Sequence, residues 1–193
     1  NLKDHHELYC FGHLIEGAVA YFQATGKDKL LKAAERFADY VAANFGTEEG
    51  KLHGYPGHEI AEMALVRLYE LTGKEKYLNL ARYFVDERGK RPYYFDQEHP
   101  EEVKKGHEDE LRYFYNQAHL PVREQDEAFG HSVRAVYLYS GMADVARLTG
   151  DETLYGACRR LWDNITEKKM YVTGGIGSTH LGEAFTYAYD LPN

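Results

Sequence analysis

Thr25-Gly26-Lys27-Asp28 returns twice further along the chain, as Thr72-Gly73-Lys74-Glu75 and as Thr149-Gly150-Asp151-Glu152. A glycine that closes an apolar-periodic run ends a helix, because it enters the left-handed conformation without a Cβ penalty. The acidic residue two places later suits the first turn of a new helix. The residues downstream of each turn repeat too. Five residues after the threonines stand Leu30, Tyr77 and Leu154; six after, Leu31, Leu78 and Tyr155; nine after, Ala34, Ala81 and Cys158. Twelve and thirteen after come Phe37 with Ala38, Phe84 with Val85, and Leu161 with Trp162. Such spacing is one apolar stripe along a helix. Each copy therefore reads as a helical hairpin, and the chain as six helices in three hairpins.

Working outward, Asp4 and Glu7 have capping-box spacing, and Leu8, Phe11, Leu14, Ile15, Ala18 and Phe22 carry a first helix to Thr25-Gly26. A second runs from Asp28 to a cap at Gly46. Unequal repeat distances, 47 residues (72 minus 25) and then 77 (149 minus 72), place extra material between Lys90 and Asn116. With Pro92, Pro100 and the charged run Glu98 to Lys105, that segment is expected to be a long surface loop. Three hairpins fit either an open helical solenoid or about half of a closed ring of six, the (α/α)6 toroid.

Composition narrows the function classes. The 193 residues are 44% hydrophobic and 28% charged, a globular balance, with no apolar run approaching membrane-spanning length. A net charge of -8 argues against a nucleic-acid or anionic-membrane surface. Seventeen tyrosines against nine phenylalanines suit half-wet surfaces such as a sugar site, although core and interface tyrosines would look the same. Cys10 and Cys158 have no CxxC spacing, so neither a disulfide framework nor a metal knuckle is indicated. The chain opens without Met, so its natural N-terminus is expected to lie further upstream and no compartment is indicated.

The candidate chemistry sits where the helical period stops. Met170 to Phe185 contains four glycines around one carboxylate, Glu183. Glycines let a backbone approach a ligand closely, although the stretch also reads as an ordinary glycine-rich connection. It lacks the endings of a phosphate loop and of a dinucleotide fingerprint, and no HExxH occurs anywhere. His6, His58 and His131 stand near the start of the first helix in each hairpin. In a ring of hairpins those starts converge on one rim, where imidazoles can hydrogen-bond a polar ligand. Each of them taken singly is more readily a structural residue than a site residue. Glu183 has no evident carboxylate partner for paired-carboxylate hydrolysis.

As a set, the motifs resemble a known family. His6-Glu7-Leu8-Tyr9-Cys10 with Gly12-His13-Leu14-Ile15-Glu16, His53-Gly54-Tyr55-Pro56-Gly57-His58, Tyr115 to Gln125, Gly130-His131 and Thr173-Gly174-Gly175-Ile176-Gly177 are similar to the β-L-arabinofuranosidases of glycoside hydrolase family 127. The resemblance implies an all-α (α/α)6 catalytic toroid, of which residues 1–193 would be about half, truncated at both ends. It implies a retaining exo-hydrolase that releases terminal β-L-arabinofuranose from an oligosaccharide or glycan. Glu183 matches the family's general acid/base, and His6, His58 and His131 match its sugar-binding histidines.

The family's nucleophile is a zinc-bound cysteine thiolate. Its ligands come from a Glu-Thr-Cys motif shortly after Asp-Leu-Pro-Asn and from a later cysteine pair. The sequence ends at Asn193, and Cys10 and Cys158 do not match those positions, so no metal ligand is assigned. On this reading the 193 residues alone are expected to be inactive. The open half-ring is expected to bare apolar faces on its inner helices and to favour self-association. Two other classes remain open: a non-catalytic helical-repeat module binding a glycan or protein, and a lyase or epimerase on the same toroid.

Overall fold

A computed structural model describes residues 1–104 and 111–192. The described chain is all-α: α1 (Glu7–Thr25), α2 (Lys29–Asn44), α3 (Ala61–Thr72), α4 (Glu75–Glu87), the short α5 (Tyr94–Glu98), α6 (Pro100–Lys104) and α7 (Leu111–Tyr115), then α8 (Ser132–Thr149) and α9 (Glu152–Lys168). The three long hairpins are α1/α2, α3/α4 and α8/α9. None of these helices is long and apolar enough to cross a membrane.

The three Thr-Gly turns share one construction. Gly26, Gly73 and Gly150 take φ of 70°, 68° and 68°, and their N–H groups donate to the carbonyls of Phe22, Tyr69 and Ala146. The preceding hydroxyls of Thr25, Thr72 and Thr149 donate to Tyr21 O, Leu68 O and Val145 O at 2.6, 2.7 and 2.7 Å. The glycine N–H thus answers a carbonyl that the last helical turn leaves open, and the threonine hydroxyl adds a second donor to the carbonyl one residue earlier.

Packing divides the hairpins into two layers. In one, α3 lies between α1 and α8; in the other, α2, α4 and α9 each back their own partner. Two glycines set the spacing of the first layer. A Cβ on Gly12 would stand 2.7 Å from Ile60 Cγ2 and 3.0 Å from Ala61 N, and one on Gly141 would stand 2.7 Å from Glu62 Cβ. Hence α1 and α8 both close tightly on the start of α3, which places their own first turns near His58.

The apolar stripe is buried differently in each hairpin. In α4 the whole stripe, Tyr77, Leu78, Ala81, Phe84 and Val85, is inside. In α2 the edge bearing Leu31 and Ala38 is buried while Leu30 and Phe37 are 39% and 37% exposed. In α9 the reverse holds: Leu154 and Leu161 are buried while Tyr155 and Trp162 are 51% and 68% exposed. The two flanking hairpins therefore bare opposite edges of the same repeat.

Several expectations need correcting. Helix α1 begins at Glu7 with His6 at its cap and no side-chain capping bond; Asp4 instead exchanges hydrogen bonds with Asn1. Helix α2 is capped by extended Phe45, one residue before Gly46. The stretch from Lys90 to Asn116 is not one loop, since it holds α5, α6 and α7. Within it Glu98 accepts the backbone N–H groups of Leu2 and Lys3 at 2.6 and 3.0 Å, tying down the start of the chain. Lys105, the end of the charged run, lies outside the described residues. Among the described residues, exposed large apolar side chains lie on the second-layer helices α2 (Leu30, Phe37, Tyr40) and α9 (Tyr155, Trp162) and on the chain after α9 (Val172, Leu181, Tyr187, Tyr189); on the first-layer helices Tyr21 and Val133 are the comparable cases.

Candidate active site

Four segments meet at one end of the first layer. The first turn of α1 brings His6, and Tyr9 and His13 follow at helical spacing on the same face. The approach to α3 brings His58, and the cap of α8 brings His131. Ring centroids lie 5.6 Å apart for His6 and His58, and 5.5 Å for His58 and His131. Tyr9 packs on His58 at 4.4 Å, Tyr137 stands 6.3 Å from it, and Tyr115 stands 5.7 Å from His131.

The fourth segment is the glycine-rich chain after α9, fastened to the head of α8. Phe185 N–H donates to Gly130 O at 2.9 Å, and His131 forms a β-bridge with Ala184. Ser132 Oγ donates to the carbonyl of Glu183 at 3.0 Å. Gly177, at φ 79°, lies so close that a Cβ there would stand 2.5 Å from that hydroxyl oxygen. Glu183 itself takes φ 50°, and its Oε2 receives a hydrogen bond from His131 Nε2 at 3.0 Å. The glycines thus let the chain press onto α8 and hold one carboxylate against one imidazole.

Partners fix the tautomers of two rings. His58 Nδ1 lies 3.0 Å from the Glu59 carbonyl, which can only accept, so Nδ1 carries the proton and Nε2 is an acceptor. His131 is the opposite: Nδ1 accepts from Arg134 N–H at 3.4 Å, so Nε2 carries the proton and donates to Glu183. Burial pushes His58 down to about 4, with the charge of Arg134 adding to it. Burial and then Arg134 also lower His131, against the pull of Glu183. Both rings are consequently neutral hydrogen-bonding groups at pH 7.

Beneath them lies a buried charge cluster. Arg88, fully buried, has Nη1 2.8 Å from Glu59 Oε1 and Nη2 3.3 Å from Glu62 Oε1, and donates to Pro56 O and Asn116 O. Burial raises Glu59, with Arg88 opposing the shift. This cluster stiffens the backbone whose Glu59 carbonyl orients His58.

The four residues singled out from sequence are therefore neighbours: His6, His58, His131 and Glu183 form one continuous row. Glu183 is its open end, with 76% of its side chain exposed. Tyr9, His13, Tyr115, Arg134 and Tyr137 belong to the same surroundings and were not singled out. Their signal was spacing: Tyr9 and His13 are three and seven residues after His6, and Arg134 is three after His131.

The cysteines do not suit a zinc-thiolate centre. Cys10 is exposed on α1, and Cys158 is a half-buried packing residue of α9 whose thiol burial pushes up to about 11. Among the described residues, the group of three potential ligands close enough to share an ion is His99, Glu101 and Glu102, which includes neither cysteine. A carboxylate held by a neutral imidazole on a rim of hydrogen-bonding rings can move a proton on an uncharged polyol.

Comparison with known proteins bears on this arrangement. The family profile described as "Beta-L-arabinofuranosidase, GH127 catalytic domain" matches residues 1–193. A curated relative from Bifidobacterium longum subsp. longum, described as "Non-reducing end beta-L-arabinofuranosidase", is 48% identical; the match covers 100% of this chain and 30% of the relative. A crystal structure of a GH127 beta-L-arabinofuranosidase from Geobacillus stearothermophilus superposes with a TM-score of 0.93 at 53% identity, covering 100% of this chain and 31% of that one. A second structure, of a GH127 beta-arabinofuranosidase, gives 0.85 at 51% identity over 97% of this chain and 27% of that one. The sequence thus spans roughly a third of the length of each of these relatives.

Proposed function

The chain belongs to the GH127 family of β-L-arabinofuranosidase catalytic domains, and on that premise we propose that its row of side chains is the sugar-binding and acid/base part of a retaining exo-β-L-arabinofuranosidase. The substrate is a terminal β-L-arabinofuranosyl residue on an oligosaccharide or glycan. Residues 1–193 form part of an (α/α)6 barrel, and His6, His58 and His131 line its sugar pocket. The observation that carries the proposal is the 3.0 Å hydrogen bond from His131 to Glu183 at the end of the histidine row.

In this reading Glu183 moves one proton twice. As the anomeric C–O bond breaks, the Glu183 carboxyl gives its proton to the departing glycosidic oxygen, which leaves as an alcohol. As water then displaces the enzyme nucleophile that took the alcohol's place at the anomeric carbon, the Glu183 carboxylate takes the water's proton and is restored. His131 Nε2–H fixes Oε2, which leaves Oε1 free to face the bond being cut. The bound sugar supplies the desolvation that this open carboxyl lacks before binding.

Zinc enters the proposal only through the family, and neither cysteine of this chain suits it, so the acid/base half of the reaction alone is assigned to these residues. The 193-residue chain supplied with zinc is accordingly expected to give no turnover; measurable release of L-arabinose would place a nucleophile within it. Glu183→Gln, made in a chain carrying the whole catalytic apparatus, is expected to lower kcat roughly 10²- to 10⁴-fold on alkyl arabinofuranosides. The loss should be smaller on aryl substrates, whose leaving groups need no proton. Unchanged kcat on both would remove Glu183 from the mechanism.

A further inference from the structure

Two arginines are buried near this site, and they are treated very differently by their surroundings. Arg88 is surrounded by two carboxylates and two carbonyl oxygens. Arg134, only 6% exposed, has no such shell of acceptors, although its charge reaches the Glu59 carboxylate from beyond ion-pair distance. Among the described residues no carboxylate lies within 4.0 Å of its guanidinium, no nitrogen of that group makes a hydrogen bond, and Nε is sealed from water. Its contact is the face of Tyr115, 4.6 Å from the guanidinium carbon to the ring centroid. That ring in turn stands against His131. A buried guanidinium without an acceptor is costly, and a cation over an aromatic face offsets only part of the loss.

Resting on the glycosidase reading, we infer that Arg134 is a substrate-contact residue of this site: its guanidinium donates to a ring hydroxyl of the bound pentofuranoside, alongside His58 Nε2, which accepts a hydroxyl proton from the same sugar. The donor and acceptor inventory supports the pairing. Guanidinium can only donate, and His58 Nε2 can only accept, because its Nδ1 proton is committed to Glu59 O. Hydroxyls do both, so two neighbouring hydroxyls of a neutral sugar satisfy both groups at once, while a ligand that only donates leaves the arginine unanswered. Position agrees as well. Arg134 is one helical turn from His131 on α8, and its charge is felt by both His58 and His131.

The test is titration of a chain carrying the whole catalytic apparatus, held inactive by Glu183→Gln and serving as the wild type of this comparison, and of its R134M and R134K variants, with methyl β-L-arabinofuranoside and methyl α-L-arabinofuranoside, read by calorimetry. R134M is expected to weaken binding of the β-anomer roughly ten- to hundredfold, the range for losing a charged hydrogen bond. R134K keeps the charge without the planar fork and is expected to lose about three- to tenfold. Equal affinity of the wild type and R134M for the β-anomer overturns the inference and leaves the glycosidase reading standing; the charge is then answered by protein. If the chain prefers the α-anomer and R134M weakens that binding, the inference stands and the proposed substrate falls. If neither glycoside binds the wild type, both fall. Should R134M fail to fold, R134K decides, and wild-type affinity in it counts against the contact.

Discussion

Which nitrogen holds the proton decides what each histidine of the row offers a sugar. His58 presents an acceptor because its Nδ1–H donates to a neighbouring carbonyl, and His131 presents a donor because a helix N–H occupies its Nδ1. The sequence placed His6, His58, His131 and Glu183 together because helix starts and a glycine-rich break are punctuation that can be read locally. Tautomers could not be read, since they depend on backbone groups the fold brings up. Arg134 and Tyr9 were hidden for another reason: both sit inside helical runs, where any side chain reads first as face or core. Burial also has a pH consequence at this scale. His58 and His119 are both held at about 4 by burial. Between that value and the ordinary 6.5 the unfolded chain binds protons that the folded chain refuses, so stability is complete above about pH 6.5 and is lost as pH falls toward 4. Glu59, raised by burial, acts in the opposite sense, so a difference measurement is needed. His119→Phe keeps the ring stacked on Phe114 and removes one titration. Urea unfolding at pH 7 and pH 4.5 should show the variant losing less stability than wild type by about 1–3 kcal/mol. Parallel losses would dismiss the histidine as the source.

At the scale of the element, the Thr-Gly dipeptide was the most legible feature of the chain, because both of its residues act within four positions of themselves. The Asp4 to Glu7 capping box failed for a long-range reason: the start of the chain is held by Glu98, ninety-odd residues away, which draws it off the helix end. Helical glycines separate local propensity from tertiary packing. Gly17 has open space around its Cβ position, so Gly17→Ala should gain about 0.5–1 kcal/mol through helix propensity. Gly141 faces Glu62 Cβ at 2.7 Å, so Gly141→Ala should lose about 1–3 kcal/mol as α8 is forced away from α3. Chemical denaturation of the two variants checks both signs. If Gly141→Ala matched Gly17→Ala, the close approach would be no constraint on the hairpins.

For the whole molecule, the periodicity gave three hairpins and their order, while the sidedness of burial needed the coordinates. A stripe in sequence has no left or right until neighbours are placed beside it. The middle hairpin buries both edges, and the outer two leave Leu30 and Phe37 on one flank and Tyr155 and Trp162 on the other. Exposed apolar edges of this kind favour association, so sedimentation of the isolated chain should show mass rising with concentration. Trp162→Lys should suppress the rise without altering helical content. A concentration-independent monomer would show that the flanks are content in water.

Those flanks also do not match one another. A two-fold axis sets like against like and leaves the other flank of each copy bare, whereas contact between opposite flanks would cover both. Copies stacking this way would share a direction, like coins laid face to back. Growth would stop only when the curve of the pile met itself or when something blunt sealed an end, so a short polar cap on either flank should be enough to keep the protein in solution as single particles.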